Sequence, residues 1–289
     1  YGSFSFPGTG TTSWFMVDGQ TRPFGRWEYQ TTITNAHQLQ LMTLNLGASY
    51  TLAGNIDLGS SLAAVGGKYP GMWSSAGFDP IGNGTAKFTG AFDGQGHTIA
   101  NLPINRPSAA NVGLFGYIGS SATIGDIGLV GVNVSGSINT GTLVGYSEAG
   151  TITRAYATGA VTANSDVVGG LVGSNTGSIS QSHAAVTVTE SGAGHSAGGL
   201  VGSNGGLIQL SYATGAVSSG GTRVGGLVGS NSGNTQLSYA TGAVSGTSDV
   251  GGLVGYHTDF GSIAQSYAAG AVSGTSQVGG LVGTSNNNA

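Results

Sequence analysis

The sequence predicts an all-β protein, a right-handed parallel β-helix (β-solenoid) with about 28 residues per coil and one short helix. Three observations carry that expectation. The tetrapeptide Gly-Leu-Val-Gly stands at 170–173, 199–202, 226–229, 252–255 and 280–283, after two degenerate copies at 113–116 and 142–145. A return at this interval means one structural unit stacked on its own copies. Each unit divides into three short apolar stretches bounded by Gly, Asn, Ser and Thr, which read as three strands and three turns. Composition agrees: 57 of the 289 residues are Gly, which weakens helices, and 38% are hydrophobic and recur in phase.

From the amino terminus, residues 1–29 hold Pro7, Pro23 and many Gly, and are expected to be an extended lead-in. Thr34-Asn35 is a candidate N-cap, and Leu39, Met42 and Leu46 follow at helical spacing, so a short helix is expected over about 36–44. Residues 50–53 and 55–58 read as strand. So do two segments within 87–102, on either side of the Asp93-Gly94 turn. The segment 59–77 is expected to protrude, with Tyr69, Met72 and Trp73 either packed on the flank or exposed as a contact surface. The chain thus divides into an irregular, aromatic-rich part of the solenoid (1–112) and seven stacked coils (113–289), the last incomplete.

Stacking predicts columns of equivalent residues. Tyr156, His183, Tyr212, Tyr239 and Tyr267 form one; Asn175, Asn204 and Asn231 form another at a corner; Leu171, Leu200, Leu227, Leu253 and Leu281 fill the interior. Stacked amides hydrogen-bond from coil to coil and stacked rings add contact. Gly is expected at the corners for positive φ and for close backbone passage. Arg223, Asp249 and Gln277 stand four residues before successive column leucines, so Arg223 and Asp249 are expected to be neighbours across coils.

The recurring Gly-Leu-Val-Gly, with the preceding segment 88–102, resembles the GLUG motif of large bacterial surface proteins. The lead-in at 16–24 and 32–42 looks like that of filamentous-haemagglutinin-type exoproteins of two-partner secretion. The resemblance implies a secreted or bacterial cell-surface adhesin. Its partners would be a host-cell glycan or protein receptor, or further copies of itself, and an outer-membrane transporter during export. GLUG motifs also occur in IgA-cleaving metallopeptidases. The Asn-Pro-Asn-type motif of the amino-terminal secretion domain is not found. The chain begins at Tyr1 and ends just after a Gly-Leu-Val-Gly, so an excised fragment is expected, with targeting signals outside it.

Little in the sequence points to catalysis. Only 6% of residues are charged and the net charge is −4, which gives no basic footprint for nucleic acid or a membrane surface. No apolar run is long enough to insert as a helix. There is no Cys, and the five His form no His-Glu-x-x-His. The eleven carboxylates are scattered, no calcium-roll array occurs, and no cofactor is expected. Binding candidates are Tyr69, Trp73, and the pair His257 and Asp259 in one turn. Thr158, Thr214 and Thr241 form a broken Thr column that reads as strand filler rather than an ice-binding row. The expectation is a non-enzymatic rigid segment. The alternatives are a polysaccharide-acting β-helix enzyme, the non-catalytic arm of a surface peptidase, or a fibre-forming module.

Overall fold

The computed structural model describes residues 14–59, 73–192, 195–258 and 260–286. It is a parallel β-solenoid of about seven turns at roughly 28 residues per turn, with one short helix. Each strand of a coil pairs in parallel with its counterparts in the coils before and after. Pairing therefore runs along the axis.

Five such ladders line the rod rather than three. The Asn ladder stacks seven strands: Phe115–Ile118, Val144–Ser147, Val172–Asn175, Val201–Asn204, Val228–Asn231, Val254–Thr258 and Val282–Asn286. The Ile ladder buries Phe92, Ile124, Ile152, Ile179, Ile208 and Thr235 in register. The Tyr ladder follows it, then a Val ladder through Val161, Val188, Val217, Val244 and Val272. The fifth ladder stacks Val167–Gly169, Ser196–Gly198, Thr222–Gly225, Ser248–Gly251 and Val278–Gly279.

The count exceeds the expectation because two of the three apolar stretches are bent. One bend falls at the Gly-Leu of the repeated tetrapeptide. Its leucines stay in the hydrogen-bond ladder: the Leu200 N–H donates to the Leu227 carbonyl (2.9 Å), and Leu227 does the same to Leu253 (2.9 Å). The second bend lies between the Ile and Tyr ladders. There Asp126, Arg154, Gln181, Leu210, Leu237 and Gln265 all adopt φ between 48° and 54°. Non-glycine residues rarely sit in this left-handed region. Here it turns the chain while the N–H still points along the axis, as in Leu210 to the Gln236 carbonyl (3.2 Å).

The tetrapeptide glycines serve close approach and not positive φ, since none of them is left-handed. A Cβ on Gly226 would lie 2.1 Å from the Gly252 carbonyl oxygen, and the same holds between Gly199 and Gly226. The next coil's backbone leaves no room for a side chain. Positive φ at glycine occurs outside the tetrapeptide, as at Gly96, Gly131 and Gly159, while the left-handed corners of successive coils are built from Asp, Arg, Gln and Leu.

The amino-terminal part joins the same solenoid. Ala91–Asp93, Thr98–Ala100 and Pro103–Asn105 pair in parallel with Thr123–Gly136, so the ladders cross position 112 without a break. The turn at Asp93-Gly94 is present, but its flanking strands pair with neighbouring coils and not with each other. The helix spans Ala36–Leu41 and tightens into a 3-10 turn at Met42–Leu44. Asn35 caps it, its Oδ1 accepting from the Gln38 N–H (3.0 Å). The helix buries Leu39, Leu41 and Met42 with the aromatic core of Tyr50, Phe78, Phe88 and Phe92. No helix among the described residues is long and apolar enough to cross a membrane.

Candidate interaction face

The Tyr ladder carries the most ordered outward row on the molecule. Its inward residues are small (Ala157, Ala184, Ala213 and Ala240, all fully buried), so the backbone lies close to the core. The outward residues are Tyr156, His183, Tyr212, Tyr239 and Tyr267. Their rings stack with centroids 5.1, 4.6, 4.8 and 5.0 Å apart and planes within 6° of parallel. That spacing is the strand spacing of a β-sheet. The register forces the rings into a pile. The pile begins at Tyr156 because its ring lies over Gly128 of the previous coil, where a Cβ would be 2.4 Å from the ring.

A serine column holds this ladder in place. Ser182, Ser211, Ser238 and Ser266 precede the aromatic residue in each coil. Each Oγ donates to the carbonyl two residues back (2.8 Å) and accepts an N–H from the previous coil (3.1 or 3.2 Å). The column was not singled out from sequence. Its signal is the dipeptide Ser-Tyr or Ser-His at 182, 211, 238 and 266.

The stack has its own electrostatics. Burial lowers the pKa of His183. Burial first, then the neighbouring Tyr212 and Tyr267, raises that of Tyr239. Both shifts favour neutral side chains. The rings cover each other's faces, so the row presents edges and hydroxyls. Exposed Leu210 and Leu237 stand beside it at the left-handed corner.

Other columns are internal. The Asn175 Nδ2 donates to the Asn204 Oδ1 (2.9 Å), and the Asn204 Nδ2 to the Asn231 Oδ1 (2.8 Å); all three are fully buried. His257 continues the column, its Nδ1 3.2 Å from the Asn231 Nδ2. It lies in the strand Val254–Thr258 and not in a turn. Leu171, Leu200, Leu227 and Leu253 are fully buried, whereas Leu281 of the last coil is 41% exposed.

Trp73 takes the packed one of its two expected places: it is buried, and its Nε1 donates to the Gln40 Oε1 (2.7 Å). Tyr69 and Asp259 lie outside the described residues, as do Met72 and most of the segment expected to protrude. The structure therefore assembles the predicted columns; of the binding candidates only Trp73 and His257 fall among the described residues.

Arg223 and Asp249 are neighbours in register, flanked by the pairs Thr222–Ser248 and Val224–Val250, but no ion pair joins them. The Arg223 guanidinium lies 4.6 Å from the Tyr256 ring centroid, and Asp249 accepts from the Thr284 hydroxyl. The cross-coil ion pair forms at the other left-handed corner, where Arg154 meets Asp126 through two bonds of 2.6 and 2.7 Å. A second cluster joins Lys87 to Glu148 beside the stacked Tyr117 and Tyr146. Its hydrogen bonds lower the pKa of Glu148 and raise that of Lys87. Among the described residues no three His, Asp or Glu gather as metal ligands would.

Comparison with known proteins agrees with this architecture. The GLUG motif matches residues 246–273, about one coil. Halomucin from Haloquadratum walsbyi is 40% identical over 129 residues, which is 44% of this chain and 1% of halomucin. The chain thus spans a very small part of that relative. A putative immunoglobulin A1 protease from Bacteroides ovatus superposes with a TM-score of 0.63 at 22% identity, covering 84% of this chain and 77% of that one. A second structure, an IgA1 protease, gives 0.62 at 18% identity, covering 89% of this chain and 20% of that one. At these identities the structural likeness is one of fold. The chain carries the GLUG motif, is similar in sequence to a stretch of halomucin, and shares its solenoid with proteins named as IgA1 proteases.

Proposed function

We propose that this chain is a non-enzymatic rigid segment of a secreted or surface-displayed adhesin, with the Tyr ladder as its contact face. The observation that carries the reading is the unbroken five-ring pile on a solenoid whose ladders stay in register through successive coils. Nearest-neighbour stacking of this kind makes a stiff rod. The similarity to halomucin supports an extracellular setting. The lead-in resemblance supports export through an outer-membrane partner.

The contact chemistry follows from the pile. Ring faces are occupied, so a sugar ring cannot stack on them along the row. No hydrogen bond within the protein takes up the phenol oxygens of Tyr156, Tyr212 and Tyr239 among the described residues. An elongated glycan or extended protein segment laid along the axis would meet a hydrogen-bonding group in every coil, at about 4.8 Å intervals.

The test is a glycan-array and host-protein screen with the intact chain, repeated with Tyr212→Phe and Tyr239→Phe together. That pair removes two hydroxyls and keeps the stack. Binding lost at unchanged melting temperature supports the reading; absence of any ligand, or binding indifferent to the change, counts against it. A second reading, the arm of a surface peptidase, is favoured by the names of the structural neighbours. Immunoglobulin A bound but left uncut by the purified chain would favour that non-catalytic arm; turnover abolished by replacing one acid or His would favour an enzyme instead.

A further inference from the structure

The tripeptide Asn83-Gly84-Thr85 is an Asn-x-Thr acceptor sequence for N-linked sugar. Such sequences also arise by chance, and the fold decides whether this one is usable. All three residues are exposed. The loop leaves the solenoid after Ile81, which bridges Phe115, and returns at Phe88, which bridges Ile118. Both anchors are fully buried, so the loop stands out from a fixed base.

Within the loop the Asn83 side chain is already folded onto Thr85. Its Oδ1 accepts from the Thr85 hydroxyl (2.8 Å), the Thr85 N–H (3.0 Å) and the Ala86 N–H (2.9 Å). Three hydrogen bonds on the amide oxygen fix the orientation of the side-chain amide. The Nδ2 itself has no protein acceptor among the described residues, and it is the atom a sugar would join. We propose that Asn83 is an N-glycan acceptor in the folded protein.

The chain contains its own control. Asn133-Val134-Ser135 is a second acceptor sequence, but it lies inside the strand Thr123–Gly136. Asn133 donates its N–H to the Leu102 carbonyl (2.9 Å), and Val134 is fully buried between its register partners Ile104 and Val161. Admitting that segment to an enzyme's groove means pulling a rung out of the solenoid. The loop at 83–85 needs no such opening.

The reaction is a glycosyl transfer from a polyprenyl-diphosphate sugar. A bond forms between Nδ2 and the anomeric carbon, and the bond from that carbon to the phosphate oxygen breaks. The lipid diphosphate leaves with the electron pair, and one amide proton passes to a base on the transferase. In the organism this presupposes export, as in the function proposed above; the test does not.

Folded full-length chain is incubated with a single-subunit oligosaccharyltransferase that requires only Asn-x-Ser/Thr, together with its polyprenyl-diphosphate oligosaccharide. Intact mass and peptide mapping are read. One glycan is expected, at Asn83, lost in Asn83→Gln and in Thr85→Ala and retained in Asn133→Gln. Occupancy at Asn83 should exceed that at Asn133 by about tenfold or more, because a buried rung opens rarely. Heat-unfolded chain should accept at both positions. The proposal is overturned by no mass gain in the folded chain, by equal occupancy of Asn133, or by a glycan that survives Asn83→Gln.

Discussion

In residues 14–112 the core is made of side chains that occur once: Tyr50, Phe78, Phe88, Phe92, and the buried Trp73. From residue 170 onward it is made of the same side chains again and again, Leu171, Leu200, Leu227 and Leu253 beside their valines. Both regions belong to one solenoid, yet they are held by different means. The first depends on single keyed contacts. Gln40, fully buried, accepts from Trp73 and from the Asp79 N–H and donates to the Asp79 carbonyl, tying the helix to a segment 39 residues away. The second depends on columns, in which each residue needs only its copies above and below. Redundancy makes side chains in the coils replaceable, while the backbone spacing they share makes the glycines irreplaceable.

The largest expected effect tests that last point. Gly226→Val puts a branched side chain where even a Cβ would lie 2.1 Å from the Gly252 oxygen. It should cost upward of about 4 kcal/mol, among the severest classes of single change. Hydrogen exchange should show protection lost first in the coils on either side. Normal protection there would mean the coils can slide apart, and the columns are less rigid than argued.

Next in size is the keyed contact. Gln40→Leu leaves the Trp73 indole N–H and both Asp79 backbone groups without their buried partner. A loss of about 3 kcal/mol is expected in urea denaturation. Exchange protection should fall in the helix and around Asp79 while the later coils keep theirs. Uniform loss along the whole rod would erase the distinction between the regions.

A smaller effect concerns the one column position that departs from Tyr. His183 has a lowered pKa in the folded protein because its ring is desolvated. The unfolded chain therefore binds the proton more readily than the folded one. Stability is fully present above the ordinary His value of about 6.5 and falls as pH drops from there toward the lowered folded pKa. His183→Tyr should melt with less acid dependence between pH 7 and pH 5 than the parent. Identical acid profiles would show that the ring is not desolvated by its neighbours.

The smallest effect is a gain. Leu237 is held at φ 51° while its side chain is 47% exposed. Leu237→Gly relieves the left-handed cost but loses some chain entropy and some contact, so a net gain of up to about 1 kcal/mol is expected. A clear loss in thermal denaturation would assign the side chain a packing role beside the Tyr ladder.

Much of the regular region was legible because its information is periodic. Tyr212 and Tyr239 are 27 positions apart in a repeat of about that length, so a solenoid must stack them. The same logic placed the Asn and Leu columns. It missed the serine column, although Ser-Tyr or Ser-His recurs at 182, 211, 238 and 266, and it missed the left-handed corners, because Gln and Leu carry no local signal for positive φ. It also put Arg223 and Asp249 together as a charge pair. Register made them neighbours, but each side chain found a partner elsewhere, the Tyr256 ring and the Thr284 hydroxyl. In the amino-terminal part, Asn35 announced the helix through its capping chemistry, whereas the burial of Trp73 depends on a buried amide at position 40.

The sequence alone determined the period, the all-β class and the identity of the stacked columns, because a chain that repeats its own pattern can satisfy its strands by pairing with its own copies. Only the tertiary structure decided where each coil bends, which side chains meet across coils, and which aromatic residues face outward. Those choices rest on distances between backbones that adjoin only after the coils have closed on one another, as at Gly226 and Gly252.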